Sequence, residues 1–249
     1  MSARYTLVIG DKNFSSWSLR PWIAMTHCGI PFAEERIRLR QPESKAAILR
    51  HSPSGKVPAL KTNGLVVCDS LAVLEFLAER HPEHQLWQSD PEARAIARSI
   101  SAEMHSGFVT LRNEMSMDLL SRFPAPPIGE ELDRDIRRIV AIWRDARTRY
   151  GGAGPFLFGA FTNADAMYAP VATRLRTYGV EPSAFGDDGT ASAYAGAILA
   201  LPERRSGRRR PNRRSRRGWA PEPQLRTACS ARRRSDQEWP REPAPDPRQ

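Results

Sequence analysis

The chain has 249 residues, 40% of them apolar, and a formal net charge of +10, which is material for one large domain or two small ones. The charge is uneven: residues 204–249 hold 15 Arg against five acidic side chains, so the first 203 residues are electrically balanced and give no reason to expect a polyanion partner. No run approaches the ~18 apolar residues of a membrane span, and three cysteines without CxxC spacing exclude a disulfide framework. No histidine cluster stands out at metal-ligand spacing, so no metal is expected. The opening run is too short for a secretory leader, and a cytoplasmic protein is the expectation.

Residues 5–10 are a β-branched and apolar run ending in Gly10, a buried-strand signal. Ser15 and Ser16 precede a stretch with Leu19, Pro21, Trp22, Ile23 and Met25, which marks a helix N-terminus. Gly29 and Pro31 end that helix. Residues 32–39 alternate as a second strand, and 43–51 form a short helix. Asn63-Gly64 lies between two short apolar runs and predicts a hairpin turn, since both positions tolerate positive φ. Asp69-Ser70 then caps a helix over 71–80. Strand, helix, strand, helix, hairpin and closing helix make a thioredoxin-like βαβ-αββα layer over residues 1–80.

After a linker at 81–91, residues 92–203 read as an all-α domain, so the fold class is α+β. A long amphipathic helix is expected over 91–123, broken by Pro124, Pro126 and Pro127. A second covers 130–150, with Ile136, Ile139, Val140 and Trp143 at helical spacing. Thr162-Asn163-Ala164-Asp165 fits capping-box logic for a helix to about residue 178, and 191–201 forms a last, weaker one. From Arg204 the composition changes to Arg and Pro with Leu225 as the single Leu, Ile, Val, Met or Phe. Such a tail cannot bury enough apolar surface to order itself. It reads as a disordered basic tail arising from a shifted reading frame, with a nucleic-acid-binding arm as the alternative.

Three stretches carry the chemistry: Ser15-Ser16-Trp17-Ser18-Leu19-Arg20-Pro21, Lys56-Val57-Pro58-Ala59-Leu60 and Asp69-Ser70-Leu71-Ala72. Each alone is an ordinary cap or turn. Together, in this order, residues 5–80 resemble the N-terminal domain of serine-type glutathione transferases, zeta-like and bacterial. Residues 156–171 resemble that family's helix-capping segment, and the likeness extends over about residues 4–202.

The resemblance implies an enzyme that activates the thiol of glutathione, as co-substrate, for conjugation to a small electrophile. A free thiol has a pKa of about 8.5, and a hydroxyl at a helix N-terminus lowers it by stabilising the thiolate. Ser15 is the implied catalytic hydroxyl, with Ser16 as runner-up. Pro58 matches the family's cis-proline, and Val57 would pair its backbone with the cysteinyl part of glutathione. Asp69 and Ser70 suit the γ-glutamyl end, and Lys56 the glycyl carboxylate. Trp17, Met104, His105, Phe108 and Arg112 fall where the family places its second-substrate pocket, although Met104 to Arg112 also reads as a core stripe with one solvated Arg. Nothing in the sequence pairs His105 with a carboxylate. Trp17 stands where zeta enzymes resembling maleylacetoacetate isomerase carry a cysteine, which weighs against a glutathione-dependent cis-trans isomerase. That isomerase and a non-catalytic glutathione-binding scaffold are the alternatives. A homodimer is implied by resemblance alone.

Overall fold

The computed structural model describes residues 4–152 and 154–202. The readings of 204–249 as a disordered tail, a displaced frame or a basic arm lie outside the described residues.

The N-terminal part runs β1 (Tyr5–Ile9), α1 (Ser16–His27), β2 (Phe32–Arg36), α2 (Ser44–Leu49), β3 (Ala59–Thr62), β4 (Leu65–Cys68) and α3 (Ser70–Arg80). The four strands form one sheet in the order β2-β1-β3-β4. β1 and β2 pair in parallel, Tyr5 opposite Phe32, which requires the α1 crossover between them. β3 is antiparallel to β1 with Val8 opposite Ala59, and β4 is antiparallel to β3 with Ala59 opposite Cys68. The alternation of strand side chains divides the core into two layers. Tyr5, Leu7, Ile9 and Leu60 enter the large core with α1 and α3, whereas Val8 and Ala59 turn to a smaller cluster with Ile37 and Ile48. Full burial of each such large aliphatic side chain contributes about 1.5–3 kcal/mol. Asn63 and Gly64 take positive φ, 45° and 81°, as the hairpin turn requires.

The expected second strand ends three residues early, at Arg36. Ile37 N–H still donates to Ile9 C=O, but Leu39 N–H turns to the Asp11 carboxylate instead of continuing the ladder.

The helical part holds α4 (Pro91–Ser106), α5 (Val109–Glu114), α6 (Glu130–Tyr150), α7 (Asn163–Tyr178) and α8 (Thr190–Ala200). The single long helix expected over 91–123 is therefore two. Gly107 caps α4 in extended conformation, and Phe108 follows in the left-handed region at φ 58°. Its ring is buried, and the Arg112 guanidinium donates to the otherwise terminal carbonyls of Met104 and His105. Core insertion of Phe108 and side-chain capping of α4 thus hold a break that no proline marks.

α7 is the central helix, buried along most of its length and packed against α1, α4 and α8. Its start is anchored by Asn163, whose N–H donates to Leu86 C=O at 2.9 Å and whose side-chain amide donates to Leu74 C=O at 3.0 Å. The Thr162–Asp165 capping box is present. Asp165 accepts from Leu157 N–H at 3.0 Å, Thr162 N–H at 2.8 Å and the Thr162 hydroxyl at 3.0 Å.

Burial pushes the Asp165 carboxyl up to about 6, against the Leu157 and Thr162 bonds that pull it down. A carboxyl raised in this way binds its proton more tightly in the folded chain. Its contribution to stability is complete below the unfolded value of about 3.9 and is lost as pH rises through its folded value. Asp165→Asn should therefore flatten the fall in stability between about pH 4 and pH 6. Asp165→Ala, which strands buried N–H donors, should lower stability by about 2–4 kcal/mol near pH 7. Urea titrations of the three proteins across that range check both outcomes.

Candidate active site

The strand register brings the three chemical stretches to one edge of the sheet. Ala59 lies opposite both Val8 and Cys68. Val57-Pro58, just before β3, therefore sits beside the chain leaving β1 toward Ser15 and the chain leaving β4 toward Asp69. The Val57–Pro58 peptide is cis. Val57 is half-buried, and among the described residues no hydrogen bond engages its N–H or C=O. Both α1 and α3 present their N-termini here, so two partial positive charges face the same edge.

Ser15 is the N-cap of α1 and only 6% exposed. Its oxygen accepts from Ser18 N–H at 3.3 Å, and its hydroxyl donates to Ser18 Oγ at 2.8 Å. Ser18 Oγ also accepts from Gly10 N–H at 3.0 Å, so Ser18 pins Ser15 to the end of β1. Ser16, one residue on, is half-buried and accepts from the Arg174 guanidinium at 3.2 Å.

Asp69 caps α3 from a left-handed backbone at φ 81°. One carboxylate oxygen accepts from Leu71 N–H at 2.8 Å and the other lies 3.3 Å from His105 Nε2. His105 thus has the carboxylate neighbour that the sequence reading did not find, because Asp69 and His105 are 36 positions apart and meet only in the folded chain. Ser70 is fully buried, and its hydroxyl accepts from Arg20 at 3.4 Å. Lys56 is exposed and has no ion pair among the described residues.

Trp17 is the centre of a group of charged and aromatic side chains that includes two of the residues expected at a second-substrate pocket, His105 and Arg112. Arg20 lies over its ring at 4.4 Å, Arg112 at 4.9 Å, and the His105 ring meets it edge-on at 5.2 Å. Met104 and Phe108 are core residues at 1% and 7% exposure. The helical stripe therefore divides: His105 and Arg112 reach Trp17, while the two apolar members pack inward.

Sequence reasoning missed Ser18, Arg20 and Arg174. Arg20 and Arg174 are 2% and 4% exposed. Burial first, then repulsion by Arg112 and Arg174, pulls Arg20 down to about 9, with Asp69 opposing. Arg174 is pulled down to about 10 by burial and then by Arg112. Burial also lowers Arg112, against attraction by Asp135. All three stay charged at neutral pH. The Nε–H groups of Arg20 and Arg174 are buried without a hydrogen-bond acceptor. Among the described residues, the shift of Arg20 records one facing carboxylate, Asp69, against two facing guanidiniums. Such an excess of positive charge is complementary to an anion.

Residues 14–80 match the family described as glutathione S-transferase, N-terminal domain. A probable maleylacetoacetate isomerase from Caenorhabditis elegans is 35% identical over 111 residues, 45% of this chain and 51% of that protein. The maleylacetoacetate isomerase of Pseudomonas aeruginosa is 32% identical over 137 residues, 52% of this chain and 60% of that protein. The chain thus spans between half and two thirds of the length of these relatives. A Burkholderia glutathione transferase homologue with bound glutathione superposes with a TM-score of 0.60 at 20% identity, covering 82% of this chain and 95% of that one. Residues 14–80 are thus similar to the glutathione S-transferase N-terminal domain, and the chain as a whole shares the fold of the glutathione transferases it superposes on.

Proposed function

We propose that the chain is a glutathione transferase that holds the glutathione thiol in its anionic form at the start of α1 and delivers it to a small electrophile. One observation carries the reading. The Ser15 hydroxyl, the unengaged Val57 backbone and the Asp69-capped start of α3 converge on one sheet edge between two helix N-termini. The peptide groups of Val57 suit strand-like pairing with an extended tripeptide. The start of α3 suits a carboxylate, and Asp69, half-exposed, suits an ammonium. Lys56, exposed on the same segment, suits the glycyl carboxylate.

Ser15 keeps its acceptor bond from Ser18 N–H whichever way its hydroxyl proton points. Rotating that proton from Ser18 Oγ to sulfur gives a charge-assisted bond to the thiolate without disturbing the cap. Each unit by which the thiol pKa falls requires about 1.4 kcal/mol, within the range of one such bond. Ser16 is the second candidate because it is more open and carries the Arg174 guanidinium.

The arginine trio gives this reading a substrate preference. An electrophile bearing a carboxylate would supply negative charge to the trio and the acceptor that the Nε–H groups of Arg20 and Arg174 lack. It is also the observation that keeps the glutathione-dependent isomerase alive as a second reading, since the named relatives include maleylacetoacetate isomerases. A two-fold dimer, as the resemblance implies, belongs to the same proposal.

Ser15→Ala should lower kcat/KM by about 10- to 100-fold, the equivalent of about 1.4–2.7 kcal/mol, while retention on immobilised glutathione persists. Full turnover in both Ser15→Ala and Ser16→Ala would remove the mechanism. Arg112→Met should raise KM for a carboxylate-bearing electrophile several-fold more than for an uncharged one. Equal effects on the two substrates would count against the anion preference.

A further inference from the structure

The stretch His81-Pro82-Glu83-His84 follows α3, in a chain whose sequence alone raises no expectation of a metal. The chain folds there into a 3-10 turn, Pro82–His84, closed by His84 N–H donating to His81 C=O at 3.1 Å. That turn gathers three ligand atoms. His81 Nδ1 lies 3.1 Å from Glu83 Oε1, and His84 Nε2 lies 3.8 Å from the same oxygen. All three donors fall within 4.8 Å of one another. Ligands bound at about 2.0–2.1 Å around a tetrahedral ion stand roughly 3.3 Å apart, so small movements of two surface side chains complete the triangle.

Two further observations bear on a cation here. His81 Nε2 is 3.0 Å from the hydroxyl of Tyr5, a residue 2% exposed on β1. A ligating imidazole requires its second nitrogen to be held in this way. The Tyr5 oxygen accepts from Nε2–H once Nδ1 gives its lone pair to a metal, and donates to Nε2 otherwise. Second, His81 is the C-cap of α3, so the ion would sit at the negative end of a helix dipole.

We propose that His81, Glu83 and His84 bind a borderline divalent cation, zinc being the ion this two-imidazole, one-carboxylate set fits best, with one coordination position left to water. The site does not draw on the glutathione reading and would stand if that reading failed. Its effect would be mechanical: the ion ties the end of α3 to the following turn and, through Tyr5, to β1.

Calorimetric titration of zinc into the untagged, chelator-treated full chain tests the proposal. One site per chain is expected, with a micromolar dissociation constant. His84→Ala and Glu83→Gln should each weaken it at least tenfold, and Tyr5→Phe by about tenfold or more. Cobalt substituted for zinc should give visible absorption bands that His84→Ala abolishes. Glu83 is the more exposed side chain, so Glu83→Gln decides the matter if His84→Ala fails to fold. Absence of binding up to about 1 mM zinc, or equal affinity in the wild type and both variants, would overturn the site.

Discussion

Everything at the candidate site depends on how one residue is paired: Ala59 lies opposite Val8 on one side and Cys68 on the other. The backbone ladder places three separate chain segments at one edge. A shift of one residue would exchange the inward and outward faces of β3, sending Leu60 out of the large core and Ala59 into it. The burial of Leu7, Ile9 and Leu60 on one face and of Val8 and Ala59 on the other therefore fixes more than stability. It sets which backbone groups border the start of α1. The geometry of the proposed site is a by-product of core packing.

The arginine trio runs against that economy. Burying a guanidinium costs free energy unless it is paired, and two of the three are nearly inaccessible, with Nε–H groups lacking acceptors. Trp17 moderates the cost by offering its ring face to both Arg20 and Arg112, an interaction of about 0.5–2 kcal/mol each. It supplies no negative charge. Asp69 supplies one, already shared between the α3 cap and His105. A chain that keeps three mutually repelling cations beside its proposed thiol site is stabilised by whatever anion enters, and under the proposed function that anion is the substrate.

How much of this was legible beforehand follows from the range of each interaction. Caps, turns and amphipathic faces are local, so Ser15 before α1, Asn63-Gly64 in the hairpin and Thr162 with Asp165 before α7 could be read from neighbours. The α4–α5 break could not. Gly107 was visible, but the break is held by Phe108 inserting into the core and by Arg112 reaching back to Met104 and His105. The buried state of Arg174 was hidden for the same reason: on an isolated helix an Arg faces solvent by default, and only the packing of α7 against α1 delivers it to Ser16. Ser18 was hidden in plain view. Its place three residues after the cap is that of a capping partner, but its hydroxyl bond to Gly10 N–H forms only in the folded chain.

The helix α3 joins the two proposals through a single physical property. Its eleven residues make a rod of about 16 Å. The positive end, capped by Asp69, borders the edge where an anionic tripeptide fits. The negative end, capped by His81, carries two imidazoles and a carboxylate arranged for a cation. Opposite ligands at opposite ends of one dipole each gain from the alignment of the same peptide groups. The gain decays within a turn of either terminus, so the rod does not transmit one charge to the other electrostatically. Any coupling between the ends must be mechanical, through the anchoring of Leu74 C=O by Asn163 in the middle of the helix. That anchor fixes α3 to α7.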